Sequence, residues 1–338
     1  MSGVLHKAEL YTKKNSYVFC HLCAHGCRIT PGARGLCAVR ENRDGMLHSL
    51  VYGRVAAEKA DPVEKKPLYH YKPGNRTWSI ATRGCNFRCR YCQNFSLSQV
   101  QAKEGTEGHY RAPEDVVAMA QAAACGSISY TYSEPTVFFE FMKDCARLAK
   151  EVGLDNLMVS NGYMERAACQ QIAPLLDAAN IDIKAFSDGF YENVCGARLG
   201  PVLDTVRVLH ELGVWLEITT LIIPGLNDSE DELKKLAQFL VGISPDIPWH
   251  LSAFHPAFKL TYVPTTPVET LQRSRAIGLA EGLRYVYLGN VHHLGVADTQ
   301  CPVCRKTVAS RSRSQINIAG IRHGKCAHCA AIIAGKWN

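Results

Sequence analysis

The stretch "GCNFRCRYCQN", residues 84–94, carries Cys85, Cys89 and Cys92 in the spacing C-x3-C-x2-C. Three thiolates in one short loop form a ligand set for a metal ion or an iron–sulfur cluster. A cubane [4Fe–4S] cluster has four irons and normally takes four cysteines, so the loop leaves one ligand to be found. A zinc ion would need a fourth ligand too, and Asn86, Phe87, Arg88, Arg90, Tyr91, Gln93 and Asn94 supply none. Zinc is therefore the weaker reading of this loop.

Two more thiol groups flank it. "CHLCAHGCRITPGARGLCAVR" places Cys20, Cys23, Cys27 and Cys37 within 18 residues. Four such thiolates imply a metal site, with tetrahedral zinc slightly preferred and an electron-passing iron–sulfur cluster as the alternative. His21 or His25 could replace one cysteine. Near the other end, "CPVC" and "CAHC" hold Cys301, Cys304, Cys326 and Cys329 as two C-x2-C knuckles 21 residues apart. That pattern is a zinc ribbon's, with an auxiliary iron–sulfur cluster as the alternative. Structural zinc would tie down a segment too short to build its own core. His328, inside the second knuckle, reads as exposed rather than as a ligand. The basic stretches "SRSRS" and "IRHGK" between the knuckles lack interleaved aromatics, so they read as a solvated hairpin and not a nucleic-acid surface.

Fifteen cysteines in 338 residues is a high count, and no signal-peptide-like apolar run opens the chain. A reducing, cytoplasmic compartment is expected, with thiols serving as ligands and not as disulfides. No stretch approaches the length of a membrane span. Hydrophobic content of 47% and charged content of 20% fit a soluble globular protein. The net charge of +7 is dispersed and reads as a solvated surface.

The elements that must position the cysteine loop repeat a rhythm. The β-rich runs "TWSIAT", "SISYTY", "LMVSNG", "NIDIKA", "LEITTLIIPG" and "WHLSAF" each end in a polar or Gly/Pro turn and lead into an amphipathic helix. In residues 136–152, Phe138, Phe141, Met142, Cys145, Leu148, Ala149 and Val152 share one helical face. Ser229 and the acids after it start another helix. This alternation predicts a parallel sheet with crossover helices. Six units fall short of a full barrel, so a partial (β/α)6 TIM-like barrel is expected, with a possible seventh strand at "RYVYLGN". The expected organisation is a cysteine-rich region over 1–70, the barrel over 71–290 and a ribbon-like region over 291–338.

Function in such barrels collects at the C-terminal strand ends. Those ends carry the cysteine loop, then Ser133 and Glu134, Ser160 and Asn161, Asp182 and Lys184, Asn227, and His250 with His255. Each alone could cap a helix or bind a loop; a whole series of them suggests a ligand site. Cys195, in "YENVCGARLGP", reads either as a small buried residue or as a thiol near a reactive centre.

A C-x3-C-x2-C loop after the first strand, with an aromatic residue (Tyr91) before its last cysteine, resembles the signature of the radical S-adenosylmethionine (SAM) superfamily. "DPVEKKPLYHYKPG", "YTYSEPT", "VSNGY", "DIKAF", "FYENVCG", "TTLIIPGLNDS", "PWHLSAFHP" and "VYLGNV" follow in the order of the radical SAM member of the AmmeMemoRadiSam system. More distantly the chain is similar to activating enzymes of glycyl-radical enzymes, such as pyruvate formate-lyase activase. The resemblance implies a [4Fe–4S] cluster on Cys85, Cys89 and Cys92 whose fourth iron takes the amino and carboxylate groups of SAM. It implies that Glu134, in "YSEP" where the superfamily usually has GGEP, meets the SAM ammonium. Asn161 would face the ribose or methionine end. Asp182 and Lys184 would lie near SAM, with Lys184 toward its carboxylate, and His255 would approach the adenosine. The same resemblance implies an external electron donor, an unidentified small-molecule or protein substrate, and Memo-like and AMMECR-like partners. Two other functions compete: a glycyl-radical activase, and a zinc-ribbon nucleic-acid-binding protein with the barrel as scaffold.

Overall fold

The structure is a computed structural model that describes residues 5–101, 106–291, 295–312 and 315–337. Arg313 and Ser314 of the basic ribbon loop lie outside the described residues.

Its centre is an eight-stranded sheet. The strands are β1 (Ala57–Pro62), β2 (Arg76–Ala81), β3 (Ser127–Tyr130), β4 (Asp155–Ser160), β5 (Ala178–Asp182), β6 (Trp215–Ile222), β7 (Trp249–Ala253) and β8 (Val286–Gly289). Their order in the sheet follows the chain. β2 to β8 pair in parallel, and β1 joins the edge antiparallel to β2. The six predicted strands and the seventh at "RYVYLGN" are present. The eighth, β1, comes from inside the segment 1–70, so that segment is partly built into the barrel sheet.

Helices α1 (Pro113–Ala122), α2 (Phe139–Glu151), α3 (Arg166–Ile172), α4 (Leu199–Glu211), α5 (Glu230–Ile243) and α6 (Val268–Ala280) cross between the strands. α2 turns Phe141, Met142, Cys145 and Ala149 into the core, while Val152, just past its last turn, is exposed. Burying Phe141 and Met142 stabilises by roughly 1.5–3 kcal/mol each. Cys145 is thus a core residue. α5 begins where Ser229 Oγ accepts from Glu232 N at 3.4 Å, and Glu230, Asp231 and Glu232 meet the positive helix end.

The N-terminal segment folds as small antiparallel sheets, one of Tyr11–Lys14, Tyr17–Cys20 and Arg28–Ile29, the other of His6–Lys7, Arg40–Arg43 and Met46–Ser49. A buried ion pair fastens it to α2: Arg40 Nη2 lies 2.7 Å from Glu140 Oε1. The C-terminal segment forms short antiparallel strands over its own small core of Tyr285, Tyr287, Cys301, Val308, Ile321 and Ile333.

Glu217, third residue of β6, accepts from the backbone N–H groups of Tyr69 and His70 at 2.9 and 2.7 Å and lies 2.7 Å from His250 Nε2. His250 is the second residue of β7, so it belongs to the N-terminal end of the strands, away from the cysteine loop; its role is to complete this buried polar network. Among the described residues no helix is long and apolar enough to cross a membrane.

Candidate active site

At the C-terminal ends of the strands lies a cavity of about 550 Å³, within the range of small-molecule and cofactor sites. Cys85, Cys89, Cys92, Ser133, Glu134, Asn161, Asp182 and Lys184 all line it. Most of the strand-end series therefore converges, but Asn227, His250 and His255 stand outside the lining. His255 is exposed and lies outside the lining; its ring Nδ1 faces Thr265 Oγ1 at 3.4 Å. The loop after β7 carries it out to solvent, and Ser252 and Asn290 face the cavity on that side.

The cysteine loop is clamped from below by the segment Tyr191–Cys195. Arg88 N donates to Cys195 O at 2.7 Å and Arg90 N donates to Val194 O at 2.9 Å. Cys195 is fully buried, its Sγ 3.9 Å from Tyr91 Oη, and it is not among the residues lining the cavity. It supports the loop from behind. Burial first, then the nearby Glu134 carboxylate, pushes the Cys85 thiol up. A hydrogen bond with Cys195 and burial do the same for Cys89, and burial does so for Cys92. Thiols in such surroundings lose their protons readily only when a cation binds the thiolate, the protons passing to solvent.

Glu134 is 2% exposed, and its carboxylate accepts four hydrogen bonds. Oε1 accepts from Thr136 N (3.0 Å), Thr136 Oγ1 (2.6 Å) and Ser160 Oγ (2.7 Å), and Oε2 accepts from Asn161 N (2.8 Å). Burial raises its pKa and these donors oppose the rise. Oε2 keeps a lone pair for another donor. Asn161 Nδ2 donates to Asn86 Oδ1 at 2.7 Å and sits 3.8 Å from Cys85 Sγ, so it orients the start of the cysteine loop. Lys184 Nζ lies 2.5 Å from Asp182 Oδ2. Burial works against its charge, but Asp182 more than offsets this and raises its pKa, so the ammonium persists. Asn227 is a loop organiser: Nδ2 donates to Lys184 O and Leu221 O, and Oδ1 accepts from Ile223 N.

Sequence reasoning did not foresee how Tyr132 packs with Asp61 and Lys66, nor which polar atoms of Ser133 and Asn86 stay unpartnered. Tyr132, in place of the usual glycine, keeps a glycine-like backbone at φ 64°. Its hydroxyl donates to Asp61, and Lys66 Nζ lies over its ring at 4.3 Å while also pairing with Asp61 at 2.9 Å. Those contacts offset the roughly 1–2 kcal/mol cost of a left-handed non-glycine residue. The only signal was the departure from GGEP itself. Ser133 Oγ and Asn86 Nδ2 are buried without a hydrogen-bond partner. They are polar groups shaped for something further.

The flanking thiol groups differ in geometry. Cys301, Cys304, Cys326 and Cys329 gather their sulfurs within 4.8 Å of one another, with Cys301–Cys329 at 3.6 Å and Cys304–Cys326 at 3.7 Å. His328 is exposed beside them. Cys20, Cys23, Cys27 and Cys37 all border one recess but do not close to that spacing.

Residues 79–240 match the radical SAM superfamily. The chain belongs to that superfamily. An uncharacterised protein of Methanocaldococcus jannaschii is 43% identical over 311 residues, covering 91% of this chain and 92% of that one. Pyruvate formate-lyase 1-activating enzyme of Escherichia coli is 23% identical over 209 residues, 58% of this chain and 85% of the relative. Among solved structures, Streptococcus suis SuiB bound to S-adenosylmethionine shares the fold at TM-score 0.51 and 13% identity, covering 68% of this chain and 53% of that one. This radical SAM protein is thus an enzyme related to glycyl-radical activating enzymes, and its superfamily implies a [4Fe–4S] cluster and SAM. The donor set fits both. Two buried thiols, Cys85 and Cys89, and the half-buried Cys92 face one cavity, and Ser133 offers an unpartnered polar atom in the same lining.

Proposed function

We propose that this radical SAM enzyme binds a [4Fe–4S] cluster on Cys85, Cys89 and Cys92 and SAM in the adjoining cavity. When bound, cluster and SAM supply reductive cleavage to methionine and a 5′-deoxyadenosyl radical that abstracts a hydrogen atom from the substrate. The observation that carries this reading is the shared cavity, which brings the three-thiol loop and the polar ends of three strands, with Glu134, Asn161, Asp182 and Lys184, onto one ligand-sized space.

The chain's own residues hold and orient. Glu134 Oε2 receives the SAM ammonium, its carboxylate fixed beforehand by Thr136, Ser160 and Asn161. Lys184, held by Asp182, presents a positive charge to the SAM carboxylate. Asn161 ties the strand-end motif to the cysteine loop, so cofactor and cluster ligands keep one geometry. Anaerobic reconstitution followed by SAM-binding measurements tests this. Iron that persists when Cys85, Cys89 and Cys92 are all replaced by alanine, at a level no lower than in the intact chain, would overturn the assignment.

The substrate is a protein or a bulky metabolite. Similarity to pyruvate formate-lyase activating enzymes favours a second reading, in which the substrate is the backbone of a glycyl-radical enzyme. The order of motifs favours the AmmeMemoRadiSam system, with Memo-like and AMMECR-like partners. Neighbouring genes of either type discriminate the two. An external one-electron donor and a cytoplasmic setting complete the proposal. At the ribbon, Cys301, Cys304, Cys326 and Cys329 bind zinc. A Zn–S bond of about 2.3 Å puts tetrahedral thiolates about 3.8 Å apart, close to the 3.6 and 3.7 Å found.

A further inference from the structure

We propose that Cys20, Cys23, Cys27 and Cys37 hold a second [4Fe–4S] cluster, not zinc, against the back of the SAM-cluster loop. Sulfur spacing argues first. Among the described residues, only the C-terminal four cysteines bring three or more thiols within 4.8 Å of one another. Cys85, Cys89 and Cys92 stand farther apart, as ligands to separate corners of a cubane must. No three of the N-terminal four reach the close spacing either, although all four border a single recess. One ion cannot reach all four where they stand at zinc's bond length, whereas a cubane takes its ligands at separate corners, set farther apart.

The recess itself is small, about 20 Å³, and partly open to solvent. Leu22, Ile29 and Val137 complete its wall. Arg40 also borders it and is 2% exposed. Its Nη1 and Nη2 donate to Glu140, and Nη2 also to Glu9 O, but its Nε is buried without any partner. A buried donor left in this way costs about 1–3 kcal/mol, and a sulfide or thiolate in the recess would accept from it.

Position argues next. His25 Nε2 donates to Asn86 O at 2.7 Å, directly after Cys85. A Cβ on Gly84, directly before Cys85, would stand 3.1 Å from Cys37 O. Arg88 Nη2 donates to Leu36 O. The loop of the N-terminal thiols is therefore packed directly against the loop of Cys85, Cys89 and Cys92. A redox-inert zinc gains nothing from that proximity, whereas a cluster there can pass single electrons from an external reductant to the barrel site.

The proposal does not depend on the barrel assignment, because its test removes that site. The full-length chain with Cys85, Cys89 and Cys92 all changed to alanine is reconstituted anaerobically with iron and sulfide. Expected are about four irons and four sulfides per chain, and on reduction the paramagnetic resonance of one cluster that SAM does not perturb. Adding Cys20→Ser and Cys23→Ser to that variant should remove them. In the intact chain, which avoids any folding defect of the variants, Mössbauer spectra should show two clusters, one of them indifferent to SAM. Loss of all iron in the triple variant, iron that survives loss of Cys20 and Cys23, or zinc in the N-terminal group with one cluster in the intact chain would each overturn it.

Discussion

Glu134→Gln is the most informative single change in the SAM pocket. Glutamine keeps the shape, and its one carbonyl oxygen can take over the three donors now on Oε1 from Thr136 N, Thr136 Oγ1 and Ser160 Oγ. The amide nitrogen then replaces Oε2 and faces Asn161 N, which stands at 2.8 Å, donor against donor. That buried N–H is left unpaired, at a cost to stability of about 1–3 kcal/mol. The same nitrogen cannot accept from the SAM ammonium. Losing one charge-assisted hydrogen bond of roughly 1.5–3 kcal/mol lowers affinity about ten- to a hundredfold. Equilibrium dialysis with labelled SAM under anaerobic conditions reads the affinity, with iron assayed on the same samples. SAM affinity within twofold of the parent at full iron content would refute the role given to Glu134. So would an affinity loss that simply tracks iron loss.

Three other outcomes follow from the geometry. His70 is buried, with Nδ1 2.6 Å from Ala334 O and Nε2 2.5 Å from Tyr287 Oη, and burial lowers its pKa to about 4 despite nearby Glu217. A depressed histidine pKa means the unfolded chain takes up the proton first, so stability is present above the unfolded value of about 6.5 and is lost as pH falls toward 4. The loss should total about 3 kcal/mol, and the stability read from denaturant melts should fall with pH more steeply for the parent than for His70→Asn; equal falls would exclude His70 as the cause. Cys301→Ser with Cys304→Ser should abolish about one bound zinc per chain and expose the C-terminal segment to protease, while zinc that persists rules out the ribbon site. Tyr132→Phe leaves Asp61 with Lys65, Lys66 and Ser79 but without the tyrosine hydroxyl. It should lower the unfolding free energy by about 1 kcal/mol with little change in SAM affinity, and an unchanged denaturation midpoint would show that this hydrogen bond contributes nothing.

Much of this was readable in the sequence because it is local. Strands and crossover helices announce themselves by alternating periods, and the seven parallel strands lie within a few residues of the β-rich runs. Strand ends are local too, so Glu134, Asn161, Asp182 and Lys184 could be gathered before any coordinates. His255 failed for the opposite reason: two residues beyond β7 the chain is free to turn, and no pattern says which way. Asp61, Lys66 and Tyr132 meet across 71 positions between Asp61 and Tyr132, with no period to link them. Asn86 was passed over because a short amide in a metal loop looks like filler until its partner, Asn161, is placed 75 positions away. His250 was read at the wrong end of its strand because a run of six apolar-rich residues does not mark its own direction of use. The metal at the N-terminal group was left open for a physical reason as well. Cysteine spacing along the chain fixes how many thiols can meet, and only their spacing in space separates one ion from a cluster.

The central claim is tested most directly by reducing the cluster-replete enzyme anaerobically with SAM and no added substrate, then separating the products by chromatography. Slow formation of 5′-deoxyadenosine and methionine in equal amounts, abolished when Cys85, Cys89 and Cys92 are replaced together, is the predicted result. Cluster-replete, reduced protein that binds no SAM and forms no 5′-deoxyadenosine would contradict it.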